Sequence, residues 1–70
     1  MIVEVFKTNV QQKKEAQMLL QLLAQHFPAH KINFDLSDCD RVLRVEGEQV
    51  VPHRIIALLN ANHYQCIVLE

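Results

Sequence analysis

Glycine is almost absent from this chain: Gly47 is the only one in 70 residues. A phosphate-cradling loop has no material here, because such loops need several residues that let backbone N–H groups turn towards one anion. Tryptophan is missing and aromatic residues make up 6%, so the stacking platforms that hold single-stranded nucleic acid are poorly supplied. Seven Lys and Arg against eight Asp and Glu leave a formal charge of −1, which gives no electrostatic footprint for a phosphate backbone. No apolar run reaches membrane-spanning length. Nucleic acid and membrane are therefore both disfavoured as partners. Two cysteines, Cys39 and Cys66, make no disulfide framework, and no charged, hydrophobic, small-residue signal opens the chain. A reducing cytoplasm is the expected compartment. No Ser-His-Asp order and no paired general acid and base stand out, so catalysis is not expected.

Half of the residues are hydrophobic and 21% are charged, the balance of a soluble globular chain. One compact domain over residues 1–70 is the expectation. A chain this short buries a small fraction of its surface, so association with a second copy or another protein is a natural source of added stability.

Ile2 to Lys7 is short and rich in β-branched and aromatic residues and reads as a strand. From Gln11 to Phe27, Ala16, Leu19, Leu20, Leu23 and Phe27 recur at three- and four-residue steps, the stripe of an amphipathic helix. Thr8 or Asn9 is its expected cap, and Pro28 ends it. Lys31 to Ser37 alternates Ile32, Phe34 and Leu36 with polar residues, the period of a half-buried strand. Asp38-Cys39-Asp40 breaks the pattern with turn formers, and Arg41 to Glu46 resumes it, so the two strands should form an antiparallel hairpin. Pro52 suits the first turn of a second helix that runs to Asn60, with Asn62 as its left-handed cap. Tyr64 to Leu69 supplies a last strand.

Strand, helix, strand, strand, helix, strand implies an α+β, ferredoxin-like βαββαβ sandwich: a four-stranded antiparallel sheet in the order 4-1-3-2 with two helices on one face. This topology brings Thr8 and Asn9, Asp38 to Asp40, and Asn62 and His63 to one end.

Val42-Leu43-Arg44-Val45-Glu46-Gly47, Ile55-Ile56-Ala57-Leu58-Leu59 and Asn62-His63-Tyr64-Gln65-Cys66-Ile67-Val68-Leu69 resemble the second half of the heavy-metal-associated domain family, with His63 where that family usually has glycine. The likeness extends over nearly the whole chain. It implies the fold of the copper chaperones and of the amino-terminal modules of metal-transporting ATPases. Aligning Ala16, Leu19, Leu20 and Leu23 with the family's first helix puts Asn9 and Gln12 at its two metal-binding cysteines, and Lys7 at the buried methionine before them. Amide oxygens do not replace two thiolates for a soft ion, so the family's Cys-x-x-Cys metal site is absent. If Lys7 points inward with Val3 and Val5, its ammonium would lie near the place of the ion. If it snorkels, it lies in solvent at the strand end.

The expected function is a noncatalytic binding module without a cofactor, acting on another protein or on a second copy of itself. If Val3, Val5, Leu43, Val45, Tyr64, Cys66 and Val68 face the helices, strand alternation exposes Ile2, Phe6, Val42, Arg44, Ile67 and Leu69 on the other side as an interaction face. A sheet that recognises RNA would need more exposed aromatics with basic neighbours. The alternative is a zinc or copper carrier in which Cys39, Asp38, Asp40 and His63 form a new tetrahedral set. The carboxylates flanking Cys39 argue against a reactive nucleophile there. His26, His30 and His53 should collect at the opposite end, where a histidine-based site is conceivable. The chain also resembles the amino-acid-binding regulatory domains in topology, but Thr8-Asn9-Val10 departs from their glycine-rich turn.

Overall fold

The structure, a computed structural model, describes residues 1–69. Its elements are β1 (Ile2–Thr8), α1 (Lys13–His26), β2 (Lys31–Asp35), β3 (Val42–Gly47), α2 (Pro52–Ala61) and β4 (Cys66–Val68). All strand pairs are antiparallel, in the order β2-β3-β1-β4. This is the expected order read from the other edge.

Both helices turn their apolar stripes onto one side of the sheet. Leu23 from α1 and Ile55 and Leu59 from α2 pack with Phe6, Leu43, Val45, Val50 and Cys66. Val10, Ala16 and Leu19 form a second cluster beneath the β1–α1 loop. Burying these side chains is the main favourable term in a domain of this size.

The inward parity of β1 is the reverse of the sequence expectation. Phe6 is fully buried and is paired directly with Leu43, another core residue. Since alternate residues face opposite sides, Ile2, Glu4, Phe6 and Thr8 share the helix side, while Val3, Val5 and Lys7 share the open side. Phe6 therefore does not belong to an exposed interaction face. Ile2 stays exposed, but on the helix side at the strand's start, opposite Gly47. The reason is physical: β1 is apolar at positions of both parities, so alternation alone does not choose between them. A phenyl ring gains more from burial than a valine, and a lysine costs more. Both terms favour the arrangement seen.

β2 ends at Asp35, short of the expected Ser37, and three other element ends differ for identifiable reasons. The cap of α1 is Gln12, whose N–H donates to Glu15 Oε1 at 3.1 Å, rather than Thr8 or Asn9. At the end of α2 the left-handed residue is His63, with φ 70°, not Asn62. His63 N–H donates to Asn60 O at 3.0 Å and Tyr64 N–H to Leu59 O at 3.0 Å, the paired bonds of a Schellman motif with His63 at the position that glycine usually takes. Because Tyr64 is engaged in this helix ending, β4 starts only at Cys66.

Gly47 has no positive φ. Its lack of a side chain serves a close approach: a Cβ there would lie 2.6 Å from His30 Nδ1. His30 in turn stacks on Phe27, with ring centroids 5.6 Å apart. The α1–β2 connection is thus pressed flat against the end of β3.

Candidate functional site

The end of the sheet that carries the β1–α1 loop, the β2–β3 connection and the α2–β4 turn is where the topology gathers polar residues. Thr8 Oγ1 donates to Arg41 O at 2.6 Å, and Thr8 N–H to Asp40 O at 3.1 Å. Asn9 Oδ1 accepts from Gln65 N–H at 2.8 Å. Arg41, itself left-handed with φ 49°, donates through Nη1 to Leu36 O at 3.0 Å. Tyr64 O–H donates to Glu15 Oε2 at 2.9 Å, joining the start of α1 to the α2–β4 turn. The three loops expected to be neighbours are neighbours, and they hold one another.

Asp38, Cys39 and Asp40 bring one ligand atom each within 4.8 Å of one another, and His63 is not in the group. The tetrahedral set of the carrier reading is therefore not assembled. Asp38 Oδ1 already accepts from Asp40 N–H at 2.9 Å, closing the turn, and Asp40 Oδ1 sits 3.7 Å from Lys7 Nζ. Exposed carboxylates spent in this way are ordinary turn chemistry. Asn9 and Gln12 are engaged in tying the loop to Gln65 and in opening α1. Lys7 is half exposed on the open face; it shares a side with Val3 and Val5 as expected, but that side faces away from the helices. Cys66, 3% exposed, has its thiol pushed up to about 12 by burial and is a core group.

The second feature is the open face of the sheet. Across its middle, Val5 lies opposite Arg44 on one side and accepts from Leu69 N–H on the other. One step along, Lys7 lies between Val42 and Ile67; one step back, Val3 lies opposite Glu46. Val42, Arg44, Ile67 and Leu69 thus stand on this face as read from the sequence, while Val3 and Val5 take the places expected of Ile2 and Phe6. Ile67 is 58% exposed and Val3 42%. Among the described residues the other large exposed hydrophobics are Met1, Ile2, Met18 and Val68, of which Ile2 and Val68, the partner of Phe6, take the helix side. Arg44 and Glu46, 3.8 Å apart, border the patch on the β3 side. Lys7 was the signal for the two missed valines: a lysine placed outward carries Val5 and Val3 with it.

The loop network also sets a pH dependence. The Tyr64 hydroxyl, against a smaller desolvation and with help from the Gln12 and Gln11 N–H groups, holds the Glu15 carboxyl below its ordinary value of 4.5. Ser37 does the same for Asp35. Depressed carboxyls contribute stability that is complete above the ordinary value and lost as pH falls through the depressed one. Tyr64 is raised above 10.0, chiefly by Glu15, so its contribution is complete below 10.0 and lost as pH rises through the raised value. Melting temperatures should fall at both extremes, and Tyr64→Phe should flatten the acid slope and remove the alkaline step. Unchanged slopes in Tyr64→Phe would mean that the Tyr64–Glu15 bond carries no linkage.

No protein-family model, no curated protein and no solved structure matches the chain.

Proposed function

We propose that this protein is a noncatalytic binding module of the heavy-metal-associated type that has given up the thiolate pair, and that its open sheet face associates with a second copy of the chain. The observation that carries the reading is a group of apolar side chains on one uncovered face, with Val3 and Ile67 exposed and Val5, Val42 and Leu69 half-buried beside them. Apolar side chains grouped in this way, here around Lys7 and Arg44, mark association more often than isolated exposed residues do. The left-handed His63, in the place of the family's glycine, supports the resemblance. With Thr8 as the inward residue of β1, the family's spacing puts the two thiolate positions at Val10 and Lys13 instead of Asn9 and Gln12. Neither pair offers sulfur, so the absence of the Cys-x-x-Cys site does not depend on the alignment chosen.

A second copy is the occupant that a small domain with an uncompensated face calls for, since the same burial stabilises both protomers. Strands of 7, 5, 6 and 3 residues, about 4.8 Å apart, present roughly 300 Å² per copy, less than half of what one partner gives to a standard interface. The association is accordingly weak and concentration-dependent. Sedimentation equilibrium from about 10 μM to about 1 mM should show a reversible dimer in this range, abolished by Val5→Glu and by Ile67→Glu with the monomer still folded. A protein that stays monomeric throughout, or dimerises equally well with both substitutions, would exclude the sheet face as the contact.

A further inference from the structure

At the end of the molecule away from the loop network, a cavity of about 360 Å³ opens between the end of α1 and the start of α2, lined by His26, Phe27, His30, Gln49, Val51 and Arg54 among others. Arg54 carries the one formal charge of its lining. Arg54 lies over the Phe27 ring, 5.8 Å from its centroid. His30 stacks on the same ring at 5.6 Å, and His26 stands at 6.4 Å from it. The Phe27 ring thus holds three nitrogen-bearing side chains around one opening. Among the described residues, the only ion pairs are Lys7 with Asp40 and Arg44 with Glu46, so none of these three has a carboxylate partner within 4 Å. Glu48 is next in sequence to Gln49 but forms no ion pair with them.

His30 adds a directional argument. Its Nδ1 is buried against Gly47 and has no hydrogen-bond partner. Nε2 is therefore the ring nitrogen left to reach a ligand. The guanidinium of Arg54 offers a planar fork of donors whose geometry matches two oxygens of a phosphoryl or carboxylate group. The first turn of α2 bears no acidic residue, and its cap, Val51, offers no side-chain acceptor, so nothing in that turn opposes negative charge.

We propose that the cavity between the end of α1 and the start of α2 is a binding site for a small phosphoryl-bearing anion, gripped by Arg54 and His30 with His26 at its rim. The site is separate from the open sheet face and stands or falls without it. The shared chemistry is a tetrahedral phosphoryl group, supplied either by inorganic phosphate or by a phosphomonoester of a small molecule.

The test is a nuclear magnetic resonance titration of the full chain with inorganic phosphate, and in a second arm with glycerol phosphate, each against sodium chloride at equal ionic strength. Saturable shifts should centre on His26, His30, His53 and Arg54 in at least one arm, and the tighter arm identifies the source of the phosphoryl group. Arg54→Gln should weaken binding by about tenfold or more, while Arg54→Lys, which keeps the charge and loses the fork, should fall between. Arg54 is exposed, and an unchanged amide spectrum elsewhere establishes that both variants fold. Shifts that follow chloride as closely as phosphate, or saturation unaffected by Arg54→Gln, would overturn the proposal.

Discussion

Phe6→Glu should unfold the domain. The ring is fully buried, sits opposite Leu43 and belongs to the larger core cluster. Removing a buried phenylalanine costs about 3–5 kcal/mol, and a carboxylate in its place adds the penalty of an unpaired buried charge. A domain of this length has about 4–10 kcal/mol of stability in total. Urea unfolding monitored by far-ultraviolet circular dichroism should show no folded baseline for Phe6→Glu, and for Phe6→Ala a midpoint lowered in proportion to about 3–5 kcal/mol. Val5→Glu, one residue away, should keep a cooperative transition within about 1 kcal/mol of the parent, because its side chain stands on the open face. The opposite ranking would reverse the strand's parity, and with it every residue assigned to the sheet surface.

The contrast between these two neighbours shows where sequence reasoning succeeded and where it stopped. β2 and β3 alternate cleanly, and Leu43 and Val45 inward with Arg44 outward were legible because a polar residue separates each apolar pair. In α1 the three- and four-residue spacing of Ala16, Leu19 and Leu23 fixed the buried stripe. β1 offers no such contrast, since Val3 and Val5 compete with Ile2 and Phe6, and its parity is decided by partners that are distant in sequence: Leu43 across the strand and Leu23 from the helix above. The candidate metal set failed for a related reason. Topology brings the loops together, but whether a side chain is free or already committed depends on local hydrogen bonds, and Asp38, Asp40 and Asn9 are committed to the turn, to Lys7 and to Gln65. The gathering of His26 and His30 at the other end was legible from the topology, whereas His53 does not line the cavity and Arg54 joins the histidines through one aromatic ring, not through any sequence spacing.

Val10, in the β1–α1 loop, is fully buried with Ala16 and Leu19. This small second cluster explains why a loop that would carry a metal pair in the proposed relatives is here a fixed part of the fold. Its backbone is bonded at Thr8, its Asn9 side chain accepts from Gln65 N–H, and its apolar residue is clamped by the first half of α1, with Phe34, Leu36 and Tyr64 packed around it. Leu19→Ala should therefore act in two ways. The lost methyl groups and the cavity left behind cost about 2–5 kcal/mol, a large share of the domain's total. The damage should also be uneven, because the cavity opens under the loop while the cluster around Leu43 and Leu59 keeps its contacts. Amide hydrogen exchange, measured under conditions where the variant remains folded, should accelerate first at Val10 and at Gln11 and Gln12, and only later at Leu43 and Val45. Uniform acceleration across both clusters would mean that the loop has no stability of its own to lose and that the two clusters open as one unit. Preferential loosening would identify Leu19 as the residue that keeps the β1–α1 loop shut.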